Sequence, residues 1–402
     1  MKEGDKNMNE EKILLEEIED TGLRGVVVAG TKISAVDGEK GELIYRGYDI
    51  GDLAKYSTFE ETAYLLLYGV LPTNKELDIF KEKLVLQRQL PEGIIRNLKD
   101  RKTTAYPMGV LQSVIPMLAD FDEKAIDETK AANIEKSIIL IAKMATLVAY
   151  WDRIRKNLEI KTPNEDLGHA ANFLYMLKGE TAPTASSCLD TCLVLHAEHS
   201  FNASTFTARV IASTHAQMYA CVGGGLAALS GELHGGANVE VMEMLIKINS
   251  LDRVEEYIKA KLLSGGRIMG MGHAVYKTMD PRARILSNIS EKLAEIAGDK
   301  KWFELSRKVE SVASNEFKKF KGKDIYPNVD FYSASVYHML GIDTDLFTPI
   351  FAVARIPGWC AHIIEEKFAE AQPKPVLYRP SAEYIGQYCG PERCKYVPLE
   401  ER

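Results

Sequence analysis

Apolar residues recur every three to four positions over long stretches of this chain. That spacing predicts amphipathic helices at Thr58–Tyr68, Ile134–Tyr150, Ser204–Leu229, Val239–Ile248, Arg282–Ala297, Phe303–Phe320 and Cys360–Ala371. Strand-like runs are confined to Leu23–Val28, Lys32–Val36 and Glu42–Tyr45, with Asp37-Gly38 as a turn signal between the last two. The pattern therefore predicts a mainly α protein with a small N-terminal β-ribbon. Two prolines punctuate it: Asp280-Pro281 reads as an N-cap followed by a first helical residue, whereas Pro357 is expected to end or kink its helix. The run Ser204–Ser230 is rich in Ala, Gly, Ser and Thr and almost free of charge, which suits a helix buried all round, centrally or at a subunit interface.

At 402 residues the chain exceeds what one hydrophobic core serves, so one large and one smaller domain with a cleft between them are expected. Its 46% hydrophobic and 27% charged residues are those of an ordinary globular protein, which sets aside disordered and fibrous classes. A net charge of -7 argues against nucleic acid or an anionic membrane as the main partner, and it means that an anionic ligand has to be met by a few placed arginines. The segment Met1–Glu17 lacks the apolar core of a secretory signal, and no apolar run approaching 18 residues is evident, so a cytoplasmic protein without a membrane span is expected. Six cysteines, Cys188, Cys192, Cys221, Cys360, Cys389 and Cys394, form no CxxC motif and read as reduced thiols.

Chemistry concentrates where histidine meets glycine. In His234-Gly235-Gly236 the paired glycines permit a tight turn and close approach of a ligand to the main chain, just ahead of Asn238, which reads as the cap of a new helix. Gly265-Gly266-Arg267-Ile268-Met269-Gly270-Met271-Gly272-His273 could turn backbone N–H groups toward an anion, or be a structural turn. It follows no βαβ unit and lacks the Walker Lys-Ser/Thr pair, so neither nucleotide fingerprint applies. His196 and His199, flanking Glu198, have the spacing of two metal ligands on a helix, but no third ligand follows at short range and HExxH is missing; no metal site is expected. In Tyr326-Pro327-Asn328-Val329-Asp330-Phe331-Tyr332, Asp330 reads either as the N-cap of a helix over Phe331–Leu340 or as a partly desolvated general base.

Taken in order, six segments resemble the citrate synthase family, including its 2-methylcitrate synthase branch, along nearly the whole chain. They are Tyr45–Ile50, Phe59–Gly69, Asn202–Phe206, His234–Asn238, Gly272–Lys277 with Asp280-Pro281-Arg282, and Pro327–Tyr332. The resemblance implies an all-helical fold, with a large domain of residues 1–236 and 342–402 and a small domain of residues 237–341. It makes His234, His273 and Asp330 catalytic, and gives His199, Arg282, Arg355 and Arg379 to oxaloacetate, with Arg379 reaching across a homodimer. Gly266, Gly270, Gly272 and Lys277 fall in the loop that holds acetyl-CoA, a cosubstrate; no tightly bound cofactor is implied. Met271, Ala274, Ala334 and Ser200 depart from residues frequent in the family without removing a catalytic group. The expected reaction is condensation of acetyl-CoA with oxaloacetate and hydrolysis of citryl-CoA. Propionyl-CoA chemistry, a non-catalytic helical scaffold and a His-rich metallohydrolase are the competing readings.

Overall fold

The computed structural model describes residues 22–23, 25–382, 384, 386 and 396–402. They fall into two compact units, one of Thr31–Val376 and one of the described residues before Thr31 and after Val376. The first carries a three-stranded antiparallel sheet, β1 (Ser34–Asp37), β2 (Glu42–Tyr45) and β3 (Tyr48–Asp49), in the order β1-β2-β3. The expected strand over Leu23–Val28 does not form: its described residues lie in turns and unpaired chain. The third strand comes instead from Tyr48 and Asp49, because Arg46 and Gly47 both take positive φ (49° and 94°), the conformation of a two-residue hairpin turn. Between β1 and β2 the turn spans four residues. The Asp37 carboxylate organises it by accepting the amides of Glu39 and Lys40, each at 3.0 Å.

Among the described residues sixteen α-helices follow. In chain order they are α1 (Ile50–Tyr56), α2 (Phe59–Tyr68), α3 (Asn74–Gln87), α4 (Glu92–Lys99), α5 (Pro107–Met117), α6 (Lys130–Arg155), α7 (His169–Lys178) and α8 (Pro183–His196). The chain continues through α9 (Ala203–Ala212), α10 (Met218–Leu229), α11 (Ala237–Ile248), α12 (Val254–Leu263), α13 (Pro281–Ala297), α14 (Lys301–Lys321), α15 (Val329–Met339) and α16 (Phe347–Lys367). Helix ends follow local chemistry. Thr58 caps α2 and Gly69 closes it in the left-handed region at φ 81°.

Two helix expectations fail for identifiable reasons. Ser204–Leu229 is two helices, because Ser213 and Thr214 turn their hydroxyls back onto the carbonyls of Val210 and Ile211 and His215 takes φ 62°. Helix α16 begins at Phe347, well before Cys360, and runs through Pro357 without ending. All of its residues are buried, and packing by α2, α6, α8, α9 and α10 holds it where the missing N–H of proline would otherwise break it. The stretch Thr344–Lys367 is long and apolar enough to cross a membrane by length and composition, contrary to the expectation that no run reaches that size, but its apolar 18-residue window is wholly buried, as in a core helix.

Helix α16 also carries charge into the core. Arg209 on α9 donates to Glu365 at 2.8 Å and to Glu366 at 2.5 Å, and all three side chains are 0% exposed. His362 joins through Nε2 to Glu198 at 2.9 Å. Burying two carboxylates is tolerable only while the guanidinium stays between them. Arg209→Leu is expected to cost about 3–5 kcal/mol of unfolding free energy, the scale for breaking a buried ion pair from one side. A urea titration checks this, and a variant as stable as the parent would show that the carboxylates find other compensation.

Candidate active site

The candidate side chains start from helix ends and glycine turns. Gly235 follows His234 at a point where an added Cβ would lie 2.2 Å from the Leu229 carbonyl oxygen and 2.8 Å from the Thr348 methyl, so only glycine lets the turn close. Asn238 does not cap α11. Gly236 is the cap, and Asn238 sits inside the first turn, wholly buried. His234 is turned toward the N-terminus of α9, where the Ser204 amide donates to its Nε2 at 3.2 Å and the Ser204 hydroxyl lies 2.8 Å from the same atom. An amide can only donate, so Nε2 is the acceptor and the ring proton sits on Nδ1. Burial, with the Arg355 charge adding to it, pushes the His234 pKa down to about 4, so the ring is neutral at physiological pH.

His273 is fixed the opposite way round. Its Nδ1 accepts from the amides of Val275 at 3.0 Å and Tyr276 at 3.2 Å, which leaves the proton on Nε2. Burial and then Arg282 bring its pKa down to about 4. The two glycines before it are required by the backbone: Gly270 and Gly272 take φ 72° and 89°, and a Cβ on Gly270 would lie 2.9 Å from the Phe331 ring. His199 lies beside His273, with ring centroids 5.3 Å apart, and its Nε2 is 3.1 Å from the Tyr276 hydroxyl. Burial holds the His199 ring neutral, with its pKa well below the usual range. His196 faces elsewhere, bonding the Cys192 carbonyl through Nδ1 at 2.8 Å, so the two histidines of the metal-like spacing take separate partners.

Asp330 is not the N-cap of its helix. Asn328 takes that role, accepting the Asp330 amide at 3.0 Å, and so frees the Asp330 carboxylate from capping. That carboxylate has no hydrogen-bond or ion-pair partner among the described residues. Burial raises its pKa to about 6, against the opposing pull of Arg282. Asp280 does cap α13, as its sequence implies, but it also grips Arg282 in a fork, with Nε at 3.0 Å and Nη2 at 2.8 Å, and accepts the Val329 amide at 3.2 Å. Arg355 donates Nε to the His196 carbonyl at 2.7 Å, while its Nη1 is buried without a hydrogen-bond partner among the described residues. Burial lowers its pKa to about 10, so it remains a cation. A desolvated guanidinium with an open donor is suited to an anion.

Of the expected site residues, His199, His234, His273, Arg282, Asp330 and Arg355 share one electrostatic neighbourhood, since the charges of Arg282 and Arg355 act on the other four between them. Arg379 belongs to the other compact unit and is exposed. Gly266 receives α12, its amide donating to the Lys261 carbonyl at 2.9 Å, and the exposed Lys277 pairs with Glu39. Sequence reasoning missed Ser204 and Tyr276 as partners of the histidines, and Asp280 as the holder of Arg282. For the last, an acid two residues ahead of an arginine across Pro281 was the available signal.

A helical scaffold that brings three neutral imidazoles, a desolvated carboxylate and two guanidinium groups together is that of an enzyme doing acid–base chemistry on an anion. The chain belongs to the citrate synthase family: residues 22–381 match the family model "Citrate synthase, C-terminal domain". It is 45% identical to citrate synthase 2 of Bacillus subtilis over 95% of this chain and 98% of that one. Among solved structures it is similar to citrate synthase from Pyrobaculum aerophilum, with a TM-score of 0.87, 39% identity and 95% of each chain covered. It is similar as well to the ternary complex of carboxymethyl coenzyme A and oxaloacetate with citrate synthase from Thermoplasma acidophilum, with a TM-score of 0.85, 32% identity, and 95% and 98% of the two chains covered.

The opposed tautomers are directly checkable. With ¹⁵N-labelled histidine, His234 is expected to show a protonated Nδ1 and His273 a protonated Nε2 at pH 7, neither ring titrating until the pH falls to about 4. A ring titrating near its ordinary value would contradict the arrangement.

Proposed function

We propose that this chain condenses the acetyl group of acetyl-CoA with oxaloacetate and hydrolyses citryl-CoA to citrate and CoA, the entry reaction of the tricarboxylic acid cycle. The observation that carries the reading is the free, desolvated Asp330 carboxylate in a neighbourhood of neutral imidazoles whose mobile protons lie on opposite ring nitrogens. A thioester methyl group is a weak acid, so its proton leaves only if a base takes it while a donor stabilises the oxygen. Asp330 takes the proton and His234 Nδ1–H donates to the thioester oxygen. The resulting enolate carbon attacks the ketone of oxaloacetate, and His273 Nε2–H protonates the ketone oxygen as the carbon–carbon bond forms, the proton held by Asp330 balancing the one that His273 gives up. Water then cleaves the citryl thioester, and CoA leaves as the thiol.

Oxaloacetate is a dianion, and its carboxylates suit the open Nη1 donor of Arg355 and the held guanidinium of Arg282, with His199 as a further partner. The segment from Gly266 through Gly270 and Gly272 to the exposed Lys277 is assigned to CoA. Residues 237–341 form the small domain that closes over the residues of 1–236 and 342–402. Gly341, at φ 71° after α15, supports a boundary there. Similarity to relatives named citrate synthase at 40–45% identity supports acetyl-CoA over propionyl-CoA as the acyl donor.

Asp330→Asn keeps the side-chain shape and removes the base, so kcat is expected to fall at least about 10²-fold. In the parent, kcat/KM is expected to rise with pH through about 6, as Asp330 ionises, and to show no histidine limb at that pH. The sign for stability is the reverse. A carboxyl whose folded pKa lies above its unfolded value destabilises the fold once ionised, so Asp330→Asn is expected to melt higher at pH 7.5, with the gain vanishing below pH 4. Undiminished exchange of the acetyl methyl protons in the variant would sink the assignment.

The site is completed in a homodimer. Ala203 on α9 and Ala227 on α10 are exposed, and Thr207 and Ile211, which pack against Gly224, are only partly buried, so these helices are not buried all round within one chain. A second copy fits against them, and Arg379 reaches the partner's oxaloacetate. Mixing Arg379→Leu with Asp330→Asn subunits is expected to restore activity, because one site of each hybrid keeps both groups. No recovery in a preparation shown to contain hybrids would mean that Arg379 serves its own subunit or no site.

A further inference from the structure

The loop carrying His273 is held at two ends. On one side Gly272 donates to the Tyr326 carbonyl at 2.8 Å, Asn328 donates to the Gly270 carbonyl at 2.9 Å, and the Asn328 side chain donates to the Gly272 carbonyl at 2.9 Å. That end is tied to the segment leading into Asp330. On the other side the loop meets the tip of the β1–β2 hairpin, more than 230 residues away in the chain. The Lys277 amide donates to the Gly38 carbonyl at 2.9 Å, and the Lys277 ammonium pairs with Glu39.

The contact leaves no room for side chains on the hairpin. A Cβ on Gly38 would lie 2.2 Å from the Val275 carbonyl oxygen, and one on Gly41 would lie 2.9 Å from that of Met279 and 2.8 Å from the Thr278 methyl. These neighbours are mostly backbone, which cannot yield as a flexible side chain does. Gly38 has no positive φ, so its own conformation does not demand glycine. The close approach does. The tip itself is prearranged by the Asp37 carboxylate on the amides of Glu39 and Lys40 and by the Gly41 amide on the Asp37 carbonyl at 2.9 Å.

We propose that the hairpin tip Asp37–Gly41 is a positioning latch for the His273 loop, with Gly38 and Gly41 as the seat. The residues that it holds, Val275 to Met279, include both amides that fix the His273 ring and the Tyr276 hydroxyl that reaches His199. With the tip displaced, those amides lose their fixed place, and the imidazole loses the orientation that keeps its proton on Nε2. The ion pair between Glu39 and Lys277 is solvent-exposed and contributes little. The seat is the backbone contact.

The inference rests on the role given to His273 above, and its test separates the two. Gly38→Ala introduces the clash without backbone strain. Gly47→Ala, at φ 94° with nothing within 4 Å, introduces strain without a clash and serves as the control. Hydrogen exchange of a peptide spanning residues 273–279 is measured beside kcat, the two KM values and the melting temperature. Gly38→Ala is expected to raise exchange in that peptide and lower kcat by about tenfold or more, the scale expected when a reacting group is misplaced. Gly47→Ala is expected to melt lower and keep both. If Gly38→Ala does not fold, Asp37→Ala, which loosens the tip by removing its two amide contacts, is expected to move exchange and kcat in the same direction. Exchange at the parent level in a folded variant overturns the latch. Raised exchange with parent kcat overturns the positioning role of the latch, whereas parent kcat in His273→Ala overturns the role of His273 on which the latch rests.

Discussion

The Asp280 carboxylate is the tie on which the site depends. One oxygen caps α13 and takes Nε of Arg282, while the other takes Nη2 and the amide of Val329 at the start of α15. A single buried anion thus fixes a cation and the first turn of the helix that bears Asp330. Burial alone would drive this carboxyl toward neutrality, yet Arg282 holds it below the usual carboxylate range. Because the fork uses Nε and Nη2, Arg282 still has Nη1 to offer a ligand. The energetic logic is that of a buried pair: weak as net stabilisation, costly to break from one side, and specific in geometry.

Around that tie, backbone amides do what charged side chains do elsewhere. Ser204 sets the His234 proton on Nδ1, and Val275 with Tyr276 sets the His273 proton on Nε2. A main-chain donor cannot reverse its polarity, so each imidazole stays a directed neutral donor even when a substrate carboxylate arrives. Protonated rings would bind the dianion more strongly in the ground state, with no matching gain as charge develops on the reacting oxygens. Burial of both rings removes that alternative.

Much of the site was legible because its chemistry is local. His234 before two glycines, Asp280 before a proline, and the glycines around His273 each state a backbone requirement that the structure meets. Other features were decided by residues distant in sequence. Asn328 could not be separated from Asp330 as the cap by spacing alone, and the difference matters, since a capping carboxylate is an occupied one. Pro357 was read as ending or kinking its helix, and the helix does not end there, because local rules see the lost hydrogen bond and not the packing that surrounds α16. The hairpin Tyr45–Tyr48 escaped notice because Arg46, unlike glycine, gives no sign of its positive φ. Arg379 remains outside what one copy of the unit Thr31–Val376 contains.

Helix α16 contributes one further connection. The indole N–H of Trp359 donates to the Ser204 hydroxyl at 3.2 Å, and that hydroxyl lies against His234. The chain has three tryptophans, and this one shares an oxygen atom with the imidazole assigned to the acyl thioester. Any redistribution of that hydroxyl proton as His234 engages a ligand alters the polarity at the edge of a fluorophore sealed from solvent. The protein thus carries an intrinsic optical probe of its own histidine, placed by the core and requiring no label.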